Sequence, residues 1–351
     1  MKLIPLLDAL KIAAPALGEL SKTPLPVLEH FCFADDSLYA YNDRMTIIVE
    51  HPTQLSVGLH GATLLGILGA SAAEEVEINI KGKIATLSGS GKIELPVMDP
   101  ADFVFTLPDE EPALSVALSE DMLSSIEMCL LSVGEDSLRP EYNGIALRTG
   151  KDGMVLYSTD NVTATRAQPA GMKIISRKAV VAVLPKEACV QILKLFKQGS
   201  KPQMHLGEKV AIIEFGGEPA VTLVAKLLGE PSAKLAEVFD EHTAGATPWP
   251  VPEGLEREIA KAQVLTSRDP LKECVIVVEE GQMEVSVQAT LGKMNSTLPI
   301  TDKKAAGEVR VNPDHVARIL PHVSHLHIND GRSLVFSKNG LTHLVSSAPK
   351  A

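Results

Sequence analysis

Apolar and polar residues alternate with period two along much of the chain and switch to helical spacing only in short stretches. The clearest alternation is Val76-Glu77-Ile78-Asn79-Ile80 followed by Ile84-Ala85-Thr86-Leu87, the pattern of a half-buried antiparallel sheet. Helical spacing predicts an amphipathic helix over 3–14, with Leu3, Leu7, Leu10 and Ala14 opposite Asp8 and Lys11. Further helices are predicted over 61–70 (Leu64, Ile67, Leu68), 120–131, 185–197 (Val190, Leu193, Phe196), 253–264 (Leu255, Ile259, Ala262) and 313–320. Start signals support three of them: Ser119 as a cap, Pro185 at a first helical position, and Asn312-Pro313 as cap then proline.

One strand–turn–strand stretch is written three times. Its clearest copy runs from Arg139-Pro140 through Asn143-Gly144 to Arg148, then Met154 to Tyr157-Ser158-Thr159-Asp160, with Asp152-Gly153 as the turn signal. Looser copies begin at Pro26 and Pro270. The prolines are 114 and 130 residues apart in a chain of 351, so the chain reads as one unit repeated three times. The expected domains are 1–110, 111–240 and 241–351, with linker composition at 106–113 and 240–252. Each third holds two short helices and about seven or eight strands, an α+β unit with both helices on one face of antiparallel sheet.

Composition narrows this only a little. Hydrophobic content of 45% is that of a globular chain, and aromatics at 4% make the cores aliphatic. A net charge of −11 argues against a basic coat over the whole surface, and leaves room for a local basic face. Cys32, Cys129, Cys189 and Cys274 lie in apolar surroundings without short mutual spacing and read as reduced core thiols. Asp8 and Lys11 interrupt the apolar start before it reaches the length of a signal segment, so a cytoplasmic protein is expected.

The order of four segments resembles the bacterial sliding clamp, the beta subunit of DNA polymerase III. They are Ser88-Gly89 to Asp102-Phe103, Arg139 to Thr159-Asp160, Lys226-Leu227-Leu228 to Val238, and Asn312 to Leu320. The resemblance implies three clamp-type domains per chain. Two chains would join head to tail as a homodimeric six-domain ring around double-stranded DNA, without sequence readout. It also implies a replicative DNA polymerase docked by a peptide, a clamp-loader ATPase, no enzymatic activity and no cofactor. Head-to-tail contacts close a ring when the rotation per unit closes.

On this resemblance, DNA contacts would come from Lys22, Arg139, Lys186, Lys194, Lys197, Lys201, Arg257, Lys261 and Arg318, through mobile attraction to phosphates. Helix 120–131 opposes this: it carries Glu120, Asp121 and Glu127 and no base. The peptide pocket would use Thr159, Val162, Thr163, Ala164, Val238, Leu344, Val345 and Ser346, and the dimer interface Phe103 and Phe105. The usual Gly-His-Arg-Leu of the family is replaced by Asn161-Val162-Thr163-Ala164, and its Met-Pro-Met-Arg-Leu end by Ser346-Ser347-Ala348-Pro349-Lys350-Ala351. A pocket reshaped for its own polymerase, as in a virus-encoded clamp, is consistent with that.

Other chemistry is thinly represented. Gly89-Ser90-Gly91-Lys92 lacks the first glycine and the Ser/Thr of a phosphate loop, with Thr86 and Ile93 in those places. His315, His322, His325 and His327 form a metal-like cluster without matching acidic or cysteine ligands. Two alternatives stay open: a metal-dependent hydrolase built on those histidines, and an oligomeric structural β-protein of viral type.

Overall fold

The computed structural model describes residues 1–18, 25–89, 91–103, 105–108, 111–136, 138–150, 153–171, 180–196, 202–232 and 234–349. The first third contains α1 (Leu3–Ala13), β1 (His30–Ala34), β2 (Ser37–Tyr41), β3 (Met45–Glu50), β4 (Val57–His60), α2 (Gly61–Gly69), β5 (Glu77–Lys81), β6 (Ile84–Ser88) and β7 (Lys92–Met98). The second contains β8 (Leu114–Ala117), α3 (Glu120–Leu130), β9 (Gly144–Gly150), β10 (Gly153–Thr159), β11 (Thr163–Ala167), β12 (Val181–Pro185), α4 (Lys186–Phe196), β13 (Gln203–Leu206), β14 (Val210–Phe215) and β15 (Val221–Lys226). An extra helix, α5 (Lys234–Thr243), leads to the last third. That third contains β16 (Trp249–Pro250), α6 (Leu255–Thr266), β17 (Cys274–Glu279), β18 (Gln282–Ala289), β19 (Gly292–Pro299), β20 (Gly307–Val311), α7 (Pro313–Ile319), β21 (His325–Asn329), β22 (Ser333–Lys338) and β23 (Leu341–Ser346). The order helix, four strands, helix, three strands therefore occurs three times.

The chain packs as two compact units that divide the second third between them. One is Met1–Ser119 with Glu187–Leu227; the other is Glu120–Lys186 with Leu228–Ala351. In the first unit a single sheet runs β5-β6-β7-β4-β1-β2-β3-β15-β14-β13-β8. In the second, one sheet runs β12-β9-β10-β11-β23-β22-β21-β16 and another runs β19-β18-β17-β20. The strands that join one third to the next are equivalent. β3 pairs with β15 (Leu223↔Ile47), and β11 pairs with β23 (Ala164↔Leu344), both antiparallel. The equivalent of β3 and β11 in the last third is β19, and among the described residues it pairs with β18 alone.

Local chemistry explains several element ends. Asp160 Oδ1 accepts from Val162 N–H at 3.0 Å and Thr163 N–H at 2.5 Å, and Asn161 takes φ +70°, so the chain reverses between β10 and β11. Asn312 caps α7 by accepting from Asp314 N–H, as its sequence predicts. Gly144 is required where β9 crosses β12: a Cβ there would come within 2.2 Å of Leu184 O. Pro185 does not open α4; it closes β12 opposite Gly144, and α4 starts at Lys186.

Two helix stripes are rotated from those expected. α1 buries Leu3, Leu6, Ala9, Leu10 and Ala13, leaving Leu7 half-buried. α4 buries Ala188, Cys189, Ile192 and Leu195, with Val190, Leu193 and Phe196 only half-buried. Both helices are apolar over more than one stripe, so spacing alone leaves the rotation open. α6 buries Leu255, Ile259 and Ala262 as expected. It packs on α7 and over β18 and β19, and α1 packs on α2 and over β2 and β3. All four cysteines are buried. Burial pushes the thiols of Cys129 and Cys274 up to about 12, which keeps them protonated and unreactive. No helix among the described residues is long and apolar enough to cross a membrane.

Candidate docking groove and nucleic-acid surface

The eight expected pocket residues gather at the β11–β23 junction, but on opposite faces of the sheet. Successive strand residues point to opposite faces, so Ala164 and Leu344 share one face while Thr163 and Val345 take the other. Ala164 and Leu344 form an apolar cluster with Val335 and Phe239, flanked by Tyr157, Leu235 and Val238. Val345 belongs instead to the core of the last third, with Leu255, Ile276 and Phe336. Thr159 and Thr163 are buried, Thr159 Oγ1 donating to Thr163 O at 2.8 Å. Val162 and Ser346 remain exposed at the junction's end, where Ser346 N–H donates to Val162 O.

Phe239 was not legible as part of this site, because its surroundings read as a domain boundary. It lies fully buried on the floor made by Ala164, Val335 and Leu344. Arg166 holds it from outside, its guanidinium 5.6 Å from the Phe239 ring and 3.6 Å from Asp240 Oδ1. The far end of α5 is fixed by His242, whose Nδ1 lies 2.7 Å from Ser333 Oγ and whose carbonyl accepts from His327 Nε2 at 3.1 Å.

The described cations expected to meet DNA are mostly tied to acids. Arg139 donates to Asp136 Oδ2 at 2.7 Å and stacks 4.5 Å above Tyr142. The Leu138 N–H and then the Arg139 guanidinium hold the Asp136 carboxyl below its ordinary value. Lys186 Nζ lies 3.1 Å from Glu135. Arg257 and Lys261 both reach Glu258, at 3.0 and 2.8 Å. Glu258 is itself buried on the inner side of α6, and hydrogen bonds from Lys261, Ser296 and Arg257 push its carboxyl down to about 2 against the cost of burial. Arg318 is exposed and donates to His315 Nδ1. Lys194 is exposed and lines a cleft of about 470 Å³ with Lys11 and Asp8 of α1 and Gln191 of α4. Lys22, Lys197 and Lys201 lie outside the described residues. Glu120, Asp121 and Glu127 all sit on the exposed face of α3.

Phe103 is buried in its own unit, 5.8 Å from Tyr39 ring to ring and against Val27, Leu28 and Cys32; Phe105 is half-buried beside Tyr41. The histidines do not converge. His325 is exposed and bonds Ser324, His327 turns to the His242 carbonyl, and His315 meets Arg318. Among the described residues no group of three or more His, Cys, Asp or Glu is arranged to hold a metal ion. Of Gly89-Ser90-Gly91-Lys92, Ser90 lies outside the described residues; Gly89 N–H donates to Gly91 O between β6 and β7, and Lys92 opens β7, paired to Glu94 at 3.0 Å.

Solved structures match this architecture over its whole length. The DNA polymerase sliding clamp of Pseudomonas aeruginosa superposes with a TM-score of 0.86 at 14% identity, covering 100% of this chain and 99% of that one. The fold is that of the DNA polymerase sliding clamps. The Helicobacter pylori beta clamp matches with a TM-score of 0.83 at 16% identity, over 100% of this chain and 99% of that one. The Bacillus subtilis clamp matches at 0.84 and 15%, over 100% and 98%. No family sequence model and no curated protein sequence matches the chain. The sliding-clamp fold survives here at an identity where most residues have changed.

Proposed function

We propose that this protein is a DNA sliding clamp: a homodimeric ring that encircles duplex DNA and tethers a polymerase, with no chemistry of its own. The observation that carries the reading is the repeated seam. β3 and β11 each receive the last strand of the next third, and among the described residues β19 is left with an open edge. The equivalent last strand of the first third is β7, whose residues 92–96 pair, among the described residues, only with β6. A second copy's β7 laid along β19 repeats the same seam and closes a two-chain ring of three repeats each.

The two edges carry matching chemistry. Val97 N–H donates to Lys83 O on the β6 side, so by alternation Lys92, Glu94 and Pro96 present their backbones to the open side. Ile300 N–H donates to Gly281 O beside β18, so Asn295, Thr297 and Pro299 face the open side of β19. Pro96 and Pro299 lack a donor there, which limits edge pairing to a short register and disfavours indefinite strand addition. Exposed Ile84 and Ile93 near one edge, and Val264 and Leu291 near the other, supply apolar surface for the seam.

DNA attraction in this reading is weak and general. The exposed face of α3 is acidic, and Arg139, Lys186, Arg257 and Lys261 are partly neutralised by their own partners. Retention then comes from topology rather than from affinity. Sedimentation tests ring closure: the wild type should run as a dimer, and Ile93→Asp as a monomer with an unchanged circular-dichroism spectrum. A wild-type monomer at micromolar concentration would remove the ring.

A further inference from the structure

We propose that α5 is the resident occupant of the docking groove. The groove would then take a partner segment that presents an aromatic side chain with an aliphatic one four residues before it, as Phe239 and Leu235 do. This rests on reading the Ala164–Leu344 floor as the partner-docking site.

Three observations carry it. First, α5 lies over that floor as a bound helix would. Leu235, Val238, Phe239 and His242 recur at i, i+3, i+4 and i+7 and face the sheet, while Glu237 and Glu241 lie off this stripe. Second, its hold is concentrated in one side chain: Phe239 is the single fully buried residue of the helix. A helix held over the sheet by one fully buried side chain, with its other residues partly buried or exposed, belongs to the class that opens locally. Third, beyond the partly buried Leu235 and Val238, its ties to the sheet are exchangeable polar contacts. Asp240 reaches Arg166 at 3.6 Å with its side chain 78% exposed, and His242 meets Ser333 and His327 at the other end.

Removing α5 uncovers an apolar floor with Arg166 at its border and Arg148 beside Tyr157 and Leu235. Ala164, Val335 and Leu344 accept the aromatic ring, and Arg166 stands ready to cover its face or meet an acid one residue after it, as it now meets Phe239 and Asp240. The chemistry selected is therefore aliphatic, three residues, aromatic, acidic. A partner must displace α5, so its apparent affinity is lowered by the fraction of time the groove is covered.

The test uses the full chain and a fluorescein-labelled peptide with the sequence of residues 234–243. The wild type should bind it weakly, since α5 competes in place. Asp240→Arg sets a cation beside Arg166 and loosens α5 without touching the floor; it should bind the peptide at least tenfold more tightly. Phe239→Ala should bind more tightly still, and adding Ala164→Trp to that variant should abolish binding. Equal affinity of the wild type and Asp240→Arg, with unchanged melting, would overturn the proposal even if Phe239→Ala fails to fold. Retention of the wild type on circular DNA does not depend on α5. A failed peptide result with retention intact removes the covered groove alone, and failed retention with a positive peptide result removes the clamp alone.

Discussion

Thr165 Oγ1 and His343 Nδ1 lie 2.8 Å apart across the β11–β23 seam, both buried, and Ser132 Oγ stands 2.8 Å from the same threonine. A polar chain of three residues thus ties together strands 178 positions apart in sequence. Thr165→Val keeps the shape and strands both neighbours. A buried group left without its partner costs about 1–3 kcal/mol. Urea unfolding of Thr165→Val should show a loss of that size in the transition of the second unit; a loss below about 0.5 kcal/mol would place the seam's strength in its apolar contacts instead.

Acid should weaken the protein through its histidines. Burial pushes His343 down to about 3, and lowers His30, His51, His242, His315 and His327. Each takes up its proton at lower pH when folded than when unfolded, where histidine titrates near 6.5. The unfolded state therefore binds more protons below that pH, and stability falls as pH drops from about 6.5 towards 3. Glu258 acts lower: held at about 2, its contribution is present above its unfolded value near 4.5 and is lost as pH falls through 2. The urea midpoint should drop measurably between pH 7.5 and pH 5, and His343→Gln should flatten part of that drop. A midpoint constant over this range would contradict the burial of these rings.

Glu258 governs how much positive charge α6 shows to DNA. Glu258→Gln removes the shared counterion of Arg257 and Lys261, whose side chains are 72% and 52% exposed. DNA affinity should rise, and the slope of log K against log salt should steepen by about 1–2, close to one unit for each further phosphate that is neutralised. Filter binding between 50 and 200 mM salt reads this directly. An unchanged slope would mean that α6 does not face the nucleic acid.

Much of the fold is readable in the chain, and the exceptions share a cause. The pairing of β9 with β10, the Asn312-Pro313 start of α7 and the Leu255–Ile259–Ala262 stripe depend on neighbours within a few residues, and the structure repeats them, with Lys151 and Asp152 of the turn outside the described residues. The rotations of α1 and α4 depend on what lies above and below each helix. The pairing of β3 with β15 joins edges about 175 residues apart (Val221↔Val49, Ala225↔Met45), where no local pattern writes the partner. For the same reason the two compact units cut through the second repeat. At the site, Ala164, Val238 and Leu344 are legible, but Phe239 is hidden: it stands at the close of a domain, directly before the boundary read at 240–252. Arg257 and Lys261 are visible as a basic pair. Their neutralisation by Glu258, between them in sequence, shows only once its side chain is seen to turn inward.

Enclosure of the duplex is the property on which the clamp reading rests. The measurement is retention on nicked circular plasmid in the presence of a clamp-loader ATPase, followed by gel filtration before and after the circle is cut once. The protein should co-elute with the intact circle at salt high enough to suppress electrostatic binding, and should leave the DNA on linearisation. Failure to associate with the circle, or persistence on the linear product, would contradict a ring that holds DNA by enclosing it.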